Sequence, residues 1–388
     1  MHYFRVPEVV FGQDALSRLD ELKGKSAFIV AGKNVMKLGF VDKVKERLSQ
    51  VGIKSNIFAE VEPEPSFETV RKGATLMNQY APDWVVALGG GSVMDAAKAM
   101  RVAYERPDIK LEEINPFMHG LALGTKTKIV CIPTTSGTGS EVTSVAVLTD
   151  TARRRKVVLN HHELIPDVAI VDPQFAIAMP PEVTAMTGMD TLTHAIEGFT
   201  CTHKNDFSDG PCLRAIQLVF QYLPRAYRNG QDMEAREKMH NAAAIAGIGF
   251  NNSLVAMAHG AGTSLGVVFD VPHGRAVGLF LPYTIEFIGG AREGLWVEIA
   301  YAINLEVPEG KKAASVLAEA IRWLASSIKE PLSIKEMGIS SETFNSSLKK
   351  LVDDTMPEVP MTFTARRPSA EETERFFRYS YEGKPIDF

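Results

Sequence analysis

Cysteine is scarce: the 388 residues hold three, Cys131, Cys201 and Cys212, with no CxxC pair among them. An odd and scattered set excludes a disulfide framework and a thiolate zinc site, and points to a reducing compartment, the cytoplasm. A basic surplus is missing too. Lysine and arginine number 42 against 47 acidic residues, a formal net charge of −5. That balance argues against nucleic acid or an anionic membrane surface as a partner. No apolar stretch reaches membrane-spanning length. The opening MHYFRVPEVVFG lacks the charged-then-apolar layout of a signal peptide. Repeats and low-complexity segments are absent. What remains is the composition of an ordinary globular protein, 45% hydrophobic and 23% charged, long enough for two domains.

The first half alternates short apolar runs with amphipathic stretches. Strands are expected at SAFIVAG (26–32), SNIFAEV (55–61), DWVVALGGG (83–91) and TKIVCIPTT (127–135). Helices are expected between them at 41–52, 67–81 and 92–105. Further short strands and turns are expected over 145–172. Continuous apolar strands separated by helices predict a parallel sheet covered on both faces. After VDPQFAIAMPPEV (171–183) the strand runs stop and long helical patterns take over, at 211–227, 234–250 and 312–330. Pro180 and Pro181 suit the opening of a helix. Ser369 and Glu372 form a capping-box pair before a last helix. The expected organisation is an α/β domain over 1–178 and an all-helical domain over 179–388, with a cleft between them.

Two loops carry chemistry. ALGGGSVMDAAK (87–98) runs from strand through three glycines into a helix. It is neither a Walker GK[ST] loop nor a Rossmann GxGxxG. Glycines permit close backbone approach, and free N–H groups at a helix start favour a phosphate. Asp95 is expected in the first helical turn, favourable to the helix dipole. PTTSGTGSEVT (133–143) is rich in hydroxyls and glycine. Alone it reads as a polar loop, but two such loops at the ends of neighbouring strands point to a dinucleotide. The basic run Arg153, Arg154, Arg155 and Lys156 reads by composition as a solvated turn.

MTGMDTLTHAIEG (186–198) places Asp190 and His194 four residues apart, on one face of an otherwise apolar helix. A buried carboxylate needs a partner. His259 follows an apolar helical pattern and precedes small residues. His273 follows a proline and opens a new apolar segment. Each histidine alone reads as a satisfied buried histidine. Taken together, Asp190, His194, His259 and His273 form a plausible nitrogen and oxygen ligand set for a divalent metal, either Fe²⁺ or Zn²⁺. The other histidines suggest nothing comparable: His161 and His162 sit in a polar loop, His203 in a polar turn, His240 in a helical stretch, and His2 and His119 have no partner pattern.

GGGSVMDAAK, PTTSGTGSEVT, the segment from Lys156 to IPDVAIVDP, GMDTLTHAIEG and AMAHGAG…PHGRAVG together resemble the iron-containing (group III) alcohol dehydrogenase family. The likeness runs through most of the chain. It implies a dehydroquinate synthase-like architecture, with a nicotinamide-cofactor-binding N-terminal domain and a helical metal- and substrate-binding C-terminal domain. By that match Asp190, His194, His259 and His273 coordinate one metal, usually Fe²⁺. Gly90, Gly91 and Ser92 receive the pyrophosphate and Asp95 lies by the nicotinamide. Thr134, Thr135, Thr138 and Val147 line the cofactor, and Lys156 reaches its ribose. The implied reaction is reversible hydride transfer between an alcohol and an aldehyde or ketone. A homodimer is expected as the common outcome for soluble enzymes of this kind, with an exposed edge of the N-terminal sheet as a candidate interface. A polyol or hydroxyacid dehydrogenase on the same scaffold, or a non-redox nucleotide-binding protein, are the alternative readings.

Two positions depart from the family pattern. Thr263 stands where many members have a histidine four residues after the third ligand. A threonine takes no proton at neutral pH, so the proton is expected to leave through water and the cofactor ribose. Gly32 stands where NAD-preferring members often place an aspartate after the first strand, and Lys33 follows. Without an acid to repel a 2′-phosphate, NADP(H) or dual use with NAD(H) is expected.

Overall fold

The computed structural model describes residues 3–153 and 155–388. The expectations for His2 and Arg154 lie outside the described residues. The chain divides into two compact units, Met1–Met179 and Pro180–Phe388.

Among the described residues the first unit carries eight strands: β1 (Glu8–Phe11), β2 (Ser26–Gly32), β3 (Lys54–Val61), β4 (Trp84–Gly89), β5 (Lys128–Pro133), β6 (Val145–Asp150), β7 (Arg155–Asn160) and β8 (Val168–Val171). Helices α1 (Lys33–Lys37), α2 (Phe40–Gln50), α3 (Phe67–Tyr80) and α4 (Gly91–Glu105) connect the early ones. Six strands form one sheet in the order β1-β8-β5-β4-β2-β3, with every pairing parallel. Side chains alternate between two cores, as the strand period requires. Phe28, Val30, Val85, Ala87, Ile129 and Cys131 face one way. Ala27, Ile29, Val86, Leu88, Val130 and Ile132 face the other.

The chain moves outward from β2 to β3, then returns to place β4 on the other side of β2. The carboxyl ends of β2 and β4 therefore flank a topological switch point, where doubly wound sheets bind ligands. Gly32 ends β2 and Gly89 ends β4. β6 and β7 form an antiparallel hairpin apart from the sheet. Arg153 and Arg155 are exposed around its turn.

The sequence pattern marks most of these strands and misses β1. Four residues with exposed ends give no readable period; β1 exists through its register with β8.

The second unit is helical: α5 (Pro181–Thr200), α6 (Asp206–Arg228), α7 (Met233–Asn251), α8 (Met257–Phe269), α9 (His273–Ile288), α10 (Glu293–Ala302), α11 (Ala313–Ser327), α12 (Ser341–Thr355) and α13 (Ala370–Glu382). Pro181 is the first residue of α5, where a missing N–H costs nothing. Ser369 and Glu372 close the capping box of α13. One extended core joins Leu192 and Phe199 of α5 with Val219 of α6, Leu265 of α8 and Phe280 of α9.

Candidate metal centre and cofactor loops

On α5, residues 190, 194 and 197 follow at i, i+4 and i+7, so their side chains share one face. Asp190, His194 and Glu197 are all buried. His259 is the third residue of α8, so it stands in the first turn of a helix rather than after a helical run. His273 is the first residue of α9, directly after Pro272. The start of α9 lies hard against α5. A Cβ on Gly274 would meet the carbonyl oxygen of Met186 at 2.5 Å and Cβ of Asp190 at 3.1 Å. Only glycine at 274 lets the backbone of α9 come this near, and that approach carries His273 to Asp190.

The side chains converge on one oxygen. Oδ1 of Asp190 lies 3.7 Å from Nδ1 of His194, 4.0 Å from Nε2 of His259 and 3.9 Å from Nε2 of His273. Asp190, His259 and His273 each offer a ligand atom within 4.8 Å of the others. His194 stands outside that trio, its ring stacked on Phe250 at 4.2 Å and tilted by 13°. Oδ1 of Asp190 and Nε2 of His259 are buried without a hydrogen-bond partner among the described residues. Burial pushes the Asp190 carboxyl up to about 6, against the pull of His259. Orphaned buried acceptors are costly, and a divalent cation between them removes the cost. The donor set, one carboxylate with imidazoles, fits Fe²⁺ or Zn²⁺. The cluster opens toward solvent at His273, whose side chain is 42% exposed.

Glu197 is absent from the sequence-based set. Its Oε2 lies 2.6 Å from Nδ1 of His259 and accepts from the backbone N–H of Ala256 at 2.8 Å. Its Oε1 accepts from the N–H of Ala258 at 2.5 Å. The available signal was its place on the Asp190–His194 face of α5.

The two loops of the first unit also meet. A Cβ on Gly91 would come within 2.8 Å of Thr138, and one on Gly90 within 3.2 Å of Thr135. Glycine at 91 thus makes room for the Thr138 side chain of the second loop. The N–H of Thr134 donates to the carbonyl of Gly89 at 3.0 Å. Gly90 caps α4, and Gly91 and Ser92 are its first residues.

Asp95 corrects the sequence reading. Because α4 begins at Gly91, this carboxylate is the fifth residue of the helix and lies just past the first turn rather than in it. It accepts instead from Ser140 Oγ at 2.7 Å and from the N–H of Val147 at 3.0 Å. Lys156, on β7, pairs with Glu64 at 2.5 Å, and the N–H of Glu64 donates to Ser92 Oγ at 3.3 Å. Lys156 is therefore near the glycine loop, with its ammonium engaged by a carboxylate. Gly32 caps α1, and a Cβ there meets nothing nearer than 3.6 Å. Lys33 is exposed at the start of that helix. His161, expected in a polar loop, is buried, with Nε2 3.1 Å from the Met118 carbonyl oxygen.

Residues 7–173 match the model of the family "Iron-containing alcohol dehydrogenase", and residues 184–378 match "Fe-containing alcohol dehydrogenase family, C-terminal". The NADPH-dependent butanol dehydrogenase of Clostridium saccharobutylicum is 38% identical over 390 residues, covering 100% of both chains. The bifunctional aldehyde-alcohol dehydrogenase AdhE of Escherichia coli K12 is 35% identical over 93% of this chain, which spans only 43% of that protein. Among solved structures, an alcohol dehydrogenase from Oenococcus oeni has a TM-score of 0.92 at 28% identity, over 98% of this chain and 100% of that one. A 1,3-propanediol oxidoreductase also has a TM-score of 0.92, at 31% identity, over 98% of this chain and 100% of that one. With family models matched across both units and a relative aligned end to end, this chain belongs to the iron-containing alcohol dehydrogenase family, the metal-dependent, NAD(P)-linked enzymes that interconvert alcohols with aldehydes or ketones.

Proposed function

We propose that the enzyme interconverts a short primary alcohol with its aldehyde using NADP(H), and that Asp190, His194, His259 and His273 hold its iron. The observation that carries the metal site is the pair of orphaned buried atoms, Asp190 Oδ1 and His259 Nε2, with His273 completing the group. The butanol dehydrogenase and propanediol oxidoreductase relatives support a short-chain substrate. The NADPH dependence of the first supports the cofactor, as does Gly32, which has no carboxylate to repel a 2′-phosphate.

When bound, the metal supplies Lewis acidity toward the substrate oxygen and the nicotinamide supplies the hydride site. The residues 1–178 serve as the cofactor domain and 179–388 as the metal and substrate domain. Gly90, Gly91 and Ser92 present α4's first N–H groups to the pyrophosphate. Thr134, Thr135, Thr138 and Val147 line the cofactor. Asp95, tied to Ser140 and Val147, sets the wall at the nicotinamide end. Lys156 reaches the ribose by exchanging its Glu64 contact. Lys33, exposed beside Gly32, pairs with the 2′-phosphate. Thr263 offers no base one turn along α8 from His259, so these side chains provide binding and orientation rather than a histidine relay.

Three buried, unpaired cysteines support a cytoplasmic location. Among the described residues no helix is long and apolar enough to cross a membrane. A homodimer is supported by the sheet edge at β1, where Val6 is 44% and Phe11 67% exposed. The test is a panel of alcohols and aldehydes, polyols and hydroxyacids included, run with NAD(H) and NADP(H) on protein loaded anaerobically with Fe²⁺ and separately with Zn²⁺. Turnover of butanol-sized alcohols with NADP(H) is expected. A strong preference for NAD(H), or for hydroxyacids, overturns the reading.

A further inference from the structure

We propose that Glu197 is a positioning residue for the metal centre: it fixes His259 as an Nε2 ligand and joins that ligand to the helix carrying Asp190 and His194. The inference rests on the metal site proposed above. A buried carboxylate must find its compensation nearby. Glu197 finds it in three donors on one short segment, the N–H groups of Ala256 and Ala258 and Nδ1 of His259. Ala256 and Ala258 sit at the start of α8, where unpaired N–H groups carry the positive end of the helix dipole.

The chemistry of the contact sets its direction. An ionised carboxylate only accepts, so at 2.6 Å Nδ1 of His259 must be the donor. Neutral imidazole then has its lone pair on Nε2, the atom that lies 4.0 Å from Asp190 Oδ1. The same carboxylate anchors the first turn of α8, so ring orientation and helix position are set together. A glutamate that capped α8 alone would need only Ala256 and Ala258. The additional bond to His259 ties the cap to the ligand, the arrangement by which outer-sphere carboxylates tune metal affinity.

Glu197→Gln keeps the shape, removes the charge and leaves one acceptor atom for three donors. The experiment strips the protein with a chelator and measures Co²⁺ and Zn²⁺ affinity by competition with a chromophoric chelator, for wild type, E197Q, E197D and His259→Ala. NADP(H) binding and apoprotein circular dichroism are measured alongside. The expected result is a metal affinity about 10- to 100-fold weaker in E197Q, with cofactor binding and helix content unchanged. E197D, which keeps the charge on a shorter arm, should fall between. Wild-type affinity in E197Q, with binding lost in His259→Ala, overturns the role of Glu197 and leaves the site standing. A wild-type protein that takes up no metal overturns the site and this inference with it. If E197Q does not fold, E197D decides, and unchanged affinity there overturns the proposal.

Discussion

Nζ of Lys98 donates to the carbonyl oxygen of Thr143 at 2.9 Å, in a place with almost no access to water. The same ammonium donates to Ser140 Oγ and to the Val145 carbonyl, each at 2.9 Å. Ser140 in turn donates to Asp95. One face of α4 thus clamps the second loop and the start of β6. Lys98→Met leaves three acceptors, those of Ser140 and Thr143 buried and that of Val145 partly so, without this donor, and Asp95 without its nearest balancing charge. A loss of about 3 kcal/mol is expected, together with weaker NADP(H) binding and unchanged metal content. Thermal melts, cofactor titration and metal analysis on the same sample check it.

Two buried carboxyls should shape the stability curve in opposite ways. Burial raises the Glu105 carboxyl, but the N–H groups of Lys126 and Gly124, the Arg101 guanidinium and the N–H of Thr125 outweigh it, leaving a net shift below 4.5. Its contribution is in full force above the unfolded value and is lost as pH falls through the folded one. Glu141 is held up at about 7 by burial. The unfolded chain ionises this group first, so stability falls as pH rises from the ordinary value of 4.5 to about 7, then levels. Glu141→Gln should therefore raise the melting temperature at about pH 8 and leave it unchanged at about pH 4. Glu105→Gln should lower it at neutral pH and by less in acid. Melts across pH read both.

Gly32→Asp should turn the enzyme toward NAD(H). Its backbone has an ordinary extended conformation, and a Cβ meets only Val61 and Val93 at 3.6 Å, so a side chain fits. The carboxylate would bind a ribose 2′-hydroxyl and repel a 2′-phosphate. We expect kcat/KM for NADP(H) to fall at least about tenfold, a change of roughly 1.4 kcal/mol, with metal content unchanged. Steady-state kinetics with both cofactors measure the ratio.

Gly274→Ala should damage the metal centre without replacing any of its proposed ligands. The added methyl meets a backbone oxygen at 2.5 Å, which cannot rotate away. α9 must shift, and His273 shifts with it. Metal affinity should fall at least about tenfold, a loss of roughly 1.4 kcal/mol, while NADP(H) binding persists. His259→Ala should lose both metal and activity with the fold intact. Metal content after gel filtration, alongside circular dichroism, distinguishes the two variants.

How much could be read beforehand depended on whether the signal was local. β2 and β4 were legible because buried parallel strands are apolar without a break. Asp190 and His194 stood out because they contradict the apolar helix that holds them. Glu197 did not, since a glutamate near a helix end is ordinary until the start of α8, about sixty residues later in the chain, is brought against it. Lys98 was hidden for the same reason: in DAAK it reads as a solvated helix residue, and only the fold of residues 140–145 buries it. Asp95 was misjudged by a single residue of helix start, enough to move it out of the first turn.

Because Asp190, His194 and Glu197 ride one helix, their mutual spacing is an angular setting. Inserting or deleting one residue between 190 and 197 would swing the two ends of the set about 100° apart around the helix axis. No side-chain substitution restores that phase. Length changes should be tolerated better in the turn after α5, where Thr202 and His203 are exposed, at the cost of the bond from the Thr202 N–H to the Phe363 carbonyl. The stretch from Asp190 to Glu197 is therefore closed to insertion and deletion, even at positions such as Ala195 whose own side chain could be exchanged.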